Sequence, residues 1–207
     1  MNKANTNEDA VLSLAREIGI LRVRDLATRG IHPEYLRRLH KKGLLIRTAR
    51  GLYMLSDAPE TQTQISEHQS LLEVAKRVPD GVACLLTALR FHDLGSQNPR
   101  DVWIAVDRRA ARPRITHPPV RIVRFSGKAL TEGIGRHWIA GVPVNVYNPA
   151  KTVADCFKYR NKIGLDVAQE ALRDCLSQRK CTIDDLWRYA KICRVTEIIR
   201  PHLEALR

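Results

Sequence analysis

Residues 31–55, IHPEYLRRLHKKGLLIRTARGLYML, decide how the chain is read. Leu36 and Leu39 stand three apart with Tyr35 beside them, so the first half has one apolar helical face. Arg37, Arg38, Lys41 and Lys42 occupy the other face, with Glu34 among them. Pro33 suits a first helical turn, where its missing N–H has no partner to lose. Gly43 suits the position just past a helix, which favours positive φ. LLIRT and GLYML then read as two short strands, turning at Ala49-Arg50-Gly51 with Gly51 free to take positive φ. A basic helix followed at once by a basic hairpin has the order of the recognition helix and wing of a winged helix-turn-helix. In that motif the helix reads the major groove and the hairpin lies against the backbone. For these residues alone, a solvated basic helix next to an ordinary hairpin is the competing description.

The preceding residues complete the order. Residues 8–18 form a first helix, with Val11, Leu12, Leu14, Ala15 and Ile18 at helical spacing and Glu8 and Asp9 in the first turn. Gly19 ends it. Residues 22–29 form a short second helix with Val23, Leu26 and Ala27 inward, and Gly30 leads into the basic helix.

The whole chain has 207 residues and a formal charge of +13, which favours a polyanionic partner: nucleic acid, an anionic membrane surface or an acidic protein. Residues 1–58 hold 11 Lys+Arg and 6 Asp+Glu, a net of +5, so the remaining +8 lies outside the proposed DNA-binding part. Five cysteines at 84, 156, 175, 181 and 193 have no C-x-x-C spacing. Neither a zinc site nor a disulfide framework is expected, and thiols kept reduced in a cytosol are the simple explanation. No apolar run approaches a membrane span and no leader-like segment opens the chain, which predicts a soluble cytoplasmic protein.

Asp57-Ala58-Pro59 and TQTQ (61–64) predict the junction between a first domain, 1–58, and a second, 59–207. Helices are predicted over 65–78 and over the apolar run 82–94, with Pro79-Asp80-Gly81 turning between them. His92 reads as a packed or capping histidine. Strands follow at 102–106 and at 120–125, where apolar residues alternate with Arg121 and Arg124. A further pair, 137–140 and 142–147, turns near Gly141. Between the first two strands, Arg108, Arg109, Arg112 and Arg114 crowd into seven residues of a Pro-containing loop, either a solvated loop or an anion-binding arm. Helices close the chain: one to about residue 160, capped by Asn148 with Pro149 at N1, then 164–176, 182–193 with a Thr182 cap, and 197–206. The fold class is α+β: a winged helix-turn-helix, then a small sheet flanked by helices.

No Gly-rich phosphate loop, H-E-x-x-H or G-x-S-x-G is present, so no catalytic residue, metal or cofactor site is assigned. Lys151 and Asp155, four apart on a helix, predict a salt bridge rather than a catalytic pair.

With these pieces in order, the chain resembles the AbiEi-type antitoxins, the regulator half of type IV abortive-infection toxin–antitoxin pairs. The resemblance rests on LRRLHKKGLLIRTARGLYML, LLTALRFHDLG and YNPAKTVADCFKYR (147–160), and loosens beyond Leu176. It implies a repressor that binds inverted repeats of double-stranded DNA in its own promoter. It also implies an antitoxin that counters a nucleotidyltransferase-like toxin. The DNA-binding match falls on Glu34, Tyr35, Arg37, Arg38 and Lys41 in the helix and on Arg47 and Arg50 in the wing; Lys42, on the same basic face, is counted with them. The alternative is a nucleic-acid-processing or toxin-modifying enzyme targeted by a winged-helix domain.

Overall fold

The computed structural model describes residues 3–49, 51–56, 59–139 and 142–206. It is α+β and divides into two compact units: Met1–Arg77 with Trp138–Val144, and Val78–His137 with Asn145–Arg207.

The first unit runs α1 (Lys3–Ile18), β1 (Ile20–Arg22), α2 (Val23–Ala27), α3 (Glu34–Lys41), β2 (Leu45–Ala49), β3 (Leu52–Leu55) and α4 (Pro59–Arg77). Val11, Leu14, Leu21, Leu26, Leu36, Leu39, Leu45 and Tyr53 form its core. The sheet has the order β1-β3-β2, with β3 antiparallel to both neighbours. The sequence pattern starts the second helix at Arg22 and gives no sign of β1, because three residues are too few to show a period of two. The strand is fixed by its register on β3, Ile20 opposite Met54, and by the Asp25 carboxylate accepting the Arg22 N–H at 2.7 Å. The polar TQTQ segment is helical, within α4, and α4 falls in the first unit. Asp57 and Ala58 lie outside the described residues.

Lys76, on the last turn of α4, is 3% exposed and reaches the Asp25 carboxylate at 3.5 Å. Burial outweighs that partner and lowers its pKa from 10.5 to about 8. A base depressed in the fold leaves the unfolded chain holding more protons between these values, so stability should rise with pH there. Lys76→Met is expected to stabilise by up to about 3 kcal/mol near neutral pH, with the gain fading towards the ordinary lysine pKa. Urea melts across that range check it; a gain that does not change with pH would refute the buried-ammonium account.

In the second unit, β4 (Val82–Ala83), α5 (Leu85–Phe91), β5 (Val102–Asp107), β6 (Val120–Phe125) and α6 (Lys128–Thr131) precede β7 (Ile134–Ile139) and β8 (Val142–Tyr147), of which the stretch Trp138–Val144 groups with the first unit. The helices α7 (Pro149–Lys158), α8 (Arg160–Ile163), α9 (Leu165–Ser177), α10 (Ile183–Cys193) and α11 (Thr196–Glu204) follow. The strand order is β6-β5-β4-β8-β7. Strand β4 pairs antiparallel with β5 and parallel with β8, so Val82 and Ala83 are the centre of the sheet and not the start of a helix. Ala140 and Gly141, where the predicted turn falls, lie outside the described residues.

Helix α7 is the hub of this unit and packs on α5, α9 and α10. Every residue from Ala150 to Phe157 is buried, as in a helix with no solvent face. The predicted caps are present: Asn148 accepts the Lys151 N–H at 2.9 Å and Thr182 Oγ1 accepts the Asp185 N–H at 3.1 Å. Cys175 and Cys181 are joined, contrary to the expectation of five free thiols; their Cα atoms are 5.8 Å apart. The six-residue separation carries no C-x-x-C signal, which is why spacing alone does not reveal it.

Candidate nucleic-acid interface

The basic helix is built as its residues dictate. Leu36 and Leu39 are buried, which turns Arg37, Arg38 and Lys41 to solvent. Pro33 sits at the N-cap, and His32 Nδ1 accepts the Glu34 N–H at 3.2 Å, a cap that sequence inspection missed. At the other end, His40 Nδ1 lies 2.9 Å from the Leu45 carbonyl, fixing the start of the hairpin against the helix.

The eight predicted DNA-binding residues do not form one free set. Glu34 pairs with Arg37 at 3.7 Å. Tyr35 is half-buried, accepts a bond from Asn7 Nδ2 at 3.3 Å, and lies 5.5 Å beneath the Arg38 guanidinium. Lys42 bonds Glu8 of α1 at 2.6 Å. Arg47 is exposed on β2, and Arg50 lies outside the described residues. The helix therefore presents Arg37, Arg38 and Lys41 as its outward cations, two of them steadied by neighbours on their own helix.

In the second unit, Arg108, Arg109, Arg112 and Arg114 are all exposed. The loop leaves β5 through an ordered turn: Arg108 N–H donates to the Phe125 carbonyl at 2.8 Å and Arg109 N–H to Asp107 Oδ1 at 2.7 Å. Arg124 donates to the carbonyls of Asp107 and Ala110, at 2.8 and 2.6 Å, and so holds the turn. Of the four loop arginines, Arg112 lines a cavity of about 580 Å³ together with Arg121, Arg124 and Lys162.

The two later motifs behind the family resemblance make packing contacts within the second unit. His92 Nε2 and Thr152 Oγ1 converge on the Tyr147 carbonyl, at 2.8 and 3.1 Å. Thr87 Oγ1 accepts the Trp103 N–H at 2.8 Å. Burial lowers the His92 pKa, so the imidazole is neutral and donates from Nε2. Lys151 and Asp155 are the predicted salt bridge, 2.5 Å apart and both fully buried. Burial pushes the Asp155 carboxyl upward against the pull of Lys151. Cys193 Sγ lies 3.1 Å from its second oxygen, and burial with the Asp155 charge raises that thiol to about 12. Burial also raises Cys84 and Cys156 well above the ordinary thiol value. These are the pKa values of packed thiols, not of nucleophiles. Among the described residues no group of three or more His, Cys, Asp or Glu is placed to hold a metal.

A basic helix and hairpin fit many proteins, and the family comparison separates them. Residues 9–56 match the AbiEi antitoxin family, described as transcriptional regulators. The AbiEi match runs from within α1 through β3 and includes all eight predicted DNA-binding residues. It supports a regulator role. The second-unit motifs lie beyond it. No curated protein matches the chain. The structure is similar to the crystal structure of RV2827C protein from Mycobacterium tuberculosis, with a TM-score of 0.53 and 15% identity over 90% of this chain and 71% of that one. At that identity the likeness shows a shared α+β fold alone. Among the described residues no helix is long and apolar enough to cross a membrane.

Proposed function

We propose that the chain is a cytoplasmic DNA-binding repressor of its own operon and the antitoxin to a nucleotidyltransferase-like toxin. The observation that carries the reading is α3, whose outward Arg37, Arg38 and Lys41 stand next to a hairpin inside the segment that matches the AbiEi family. In this reading the first unit contains a winged helix-turn-helix. Helix α3 enters the major groove, and Arg47 and Arg50 contact phosphates from the wing. Operator binding is assigned to residues 1–58, within the first unit, and protection from the toxin to the rest of the chain. Arg108 and Arg109 neutralise further phosphates. Their joint replacement by alanine should lower the salt slope of operator binding by about one for each phosphate left without its arginine.

Two measurements on one gene pair test the proposal. Purified protein should bind the duplex upstream of its own gene more tightly than a scrambled duplex at matched salt. Co-expression with the neighbouring gene should restore growth that the neighbour alone arrests. Equal affinity for both duplexes would remove the repressor, and unrescued growth would remove the antitoxin.

A further inference from the structure

Strand β6 is the outer strand of its sheet, next to β5 alone. Its pairing fixes which backbone groups are satisfied. Val102 N–H donates to the Pro119 carbonyl at 2.9 Å, and Arg108 N–H to the Phe125 carbonyl at 2.8 Å. In a parallel pair alternate residues turn their N–H and C=O groups to the same neighbour. Odd-numbered residues of β6 therefore face β5, and Val120, Ile122 and Arg124 aim their N–H and C=O groups at the open edge. Among the described residues no backbone group pairs with them.

The cavity of about 580 Å³ lies along this edge. Its lining takes in all of residues 120–124. Consecutive strand residues point to opposite faces, so an opening lined by five in a row follows the edge, with Trp103 of β5 at its inner side. Arg112 from the preceding loop and Lys162 from α8 wall it, and no carboxylate does. Arg121 has one partner, Asp101 at 2.5 Å, and lies 5.2 Å over the Trp103 ring. Arg124 donates to the neutral carbonyls of Asp107 and Ala110.

We propose that the open edge of β6 docks an extended acidic segment of a partner protein. The segment adds as a further strand and sets its carboxylates against Arg112, Arg121, Arg124 and Lys162. Main-chain bonds supply the register and the side-chain charges select the partner. The charges also exclude a second copy of the same edge, which is equally basic, as edge lysines and arginines commonly do. Nucleic acid fits less well. A phosphate only accepts hydrogen bonds, and the edge presents three outward carbonyls that need donors; a peptide strand satisfies both sets. The proposal stands apart from the DNA-binding reading of the first unit.

The test uses the full chain and a capped synthetic peptide of about six residues, an ordinary strand length, alternating Glu and Val. Its comparators are the Lys-for-Glu peptide, the Glu peptide N-methylated at alternate residues, and a short DNA duplex. Hydrogen exchange at the Val120, Ile122 and Arg124 amides should slow with the Glu peptide and not with the first two comparators. Arg112→Glu with Lys162→Glu, both at exposed positions, should weaken the peptide by at least about tenfold. Ile122→Pro removes one outward N–H and should abolish the protection. If that variant misfolds, the charge-reversed pair still decides the matter. Unchanged exchange at about 1 mM peptide, equal protection by the Lys peptide, or preferential protection by the duplex would each overturn the proposal.

Discussion

Asp155→Ala is expected to destabilise the protein by about 3–5 kcal/mol, because it leaves a buried ammonium with no counter-charge. Lys151 has no exposed surface and its Nζ is 2.5 Å from the carboxylate. Its other neighbours are aromatic rings, with centroids at 4.1 Å (Tyr147) and 4.8 Å (Phe125), which soften but do not replace a carboxylate. The site has no room to adjust. A Cβ on Gly133, at φ +80°, would lie 2.9 Å from Lys151 Cβ, so the lysine stem is gripped from the turn before β7. For a chain of this size the loss corresponds to a fall in Tm of roughly 6–20 °C. Replacing both partners, Lys151→Met with Asp155→Leu, should recover most of it, since the cost lies in the orphaned charge and not in the missing pair. Thermal unfolding followed by circular dichroism is the measurement. A single variant within about 1 kcal/mol of the natural protein would show that water reaches the site.

The second large effect is on the operator. Arg37→Ala with Arg38→Ala should weaken binding to the natural operator by about 2–6 kcal/mol, roughly 30-fold to 10⁴-fold, if each arginine grips a guanine. Both guanidiniums are pre-positioned, Arg37 by Glu34 and Arg38 by the Tyr35 ring, so little ordering is left to the moment of binding. Preference over scrambled DNA should collapse with the affinity. Arg50→Ala should weaken all sequences alike and reduce the salt slope by about one. Lys42→Ala is the internal contrast: its ammonium is held by Glu8, so its loss should change stability more than recognition. Titrations at two salt concentrations separate these outcomes. An unaltered operator affinity in the double arginine variant would remove α3 from the groove.

Some of this is legible in the sequence because local chemistry and tertiary demand agree. The Leu36/Leu39 face, Gly43, the Asn148–Pro149 cap and the Thr182 cap each state in a few residues what the fold requires there. Strand β4 is hidden because Val82 and Ala83 run unbroken into an apolar helix, and an apolar run has no period to read. TQTQ looks like a linker because polarity alone does not separate an irregular segment from an exposed helical turn. The groove beside β6 has no sequence signal as a unit. Arg112, Arg121 and Lys162 come from three segments, and the most visible cluster, the four loop arginines, supplies one of its walls. Arg124, which the strand alternation marks only as surface charge, acts as a staple for the turn after β5.

The Tyr147 carbonyl carries a consequence for how the chain is made. Its bond to His92 spans 55 residues, and it holds α5, β8 and α7 together. During synthesis α5 leaves the ribosome well before its acceptor exists. At about 5–20 residues per second the wait is roughly 3–11 s, during which α5 has β5 to pack on but not yet α7. The interval is long compared with helix formation, so this apolar segment needs a temporary cover, from a chaperone or from the nascent chain itself, until Tyr147 arrives.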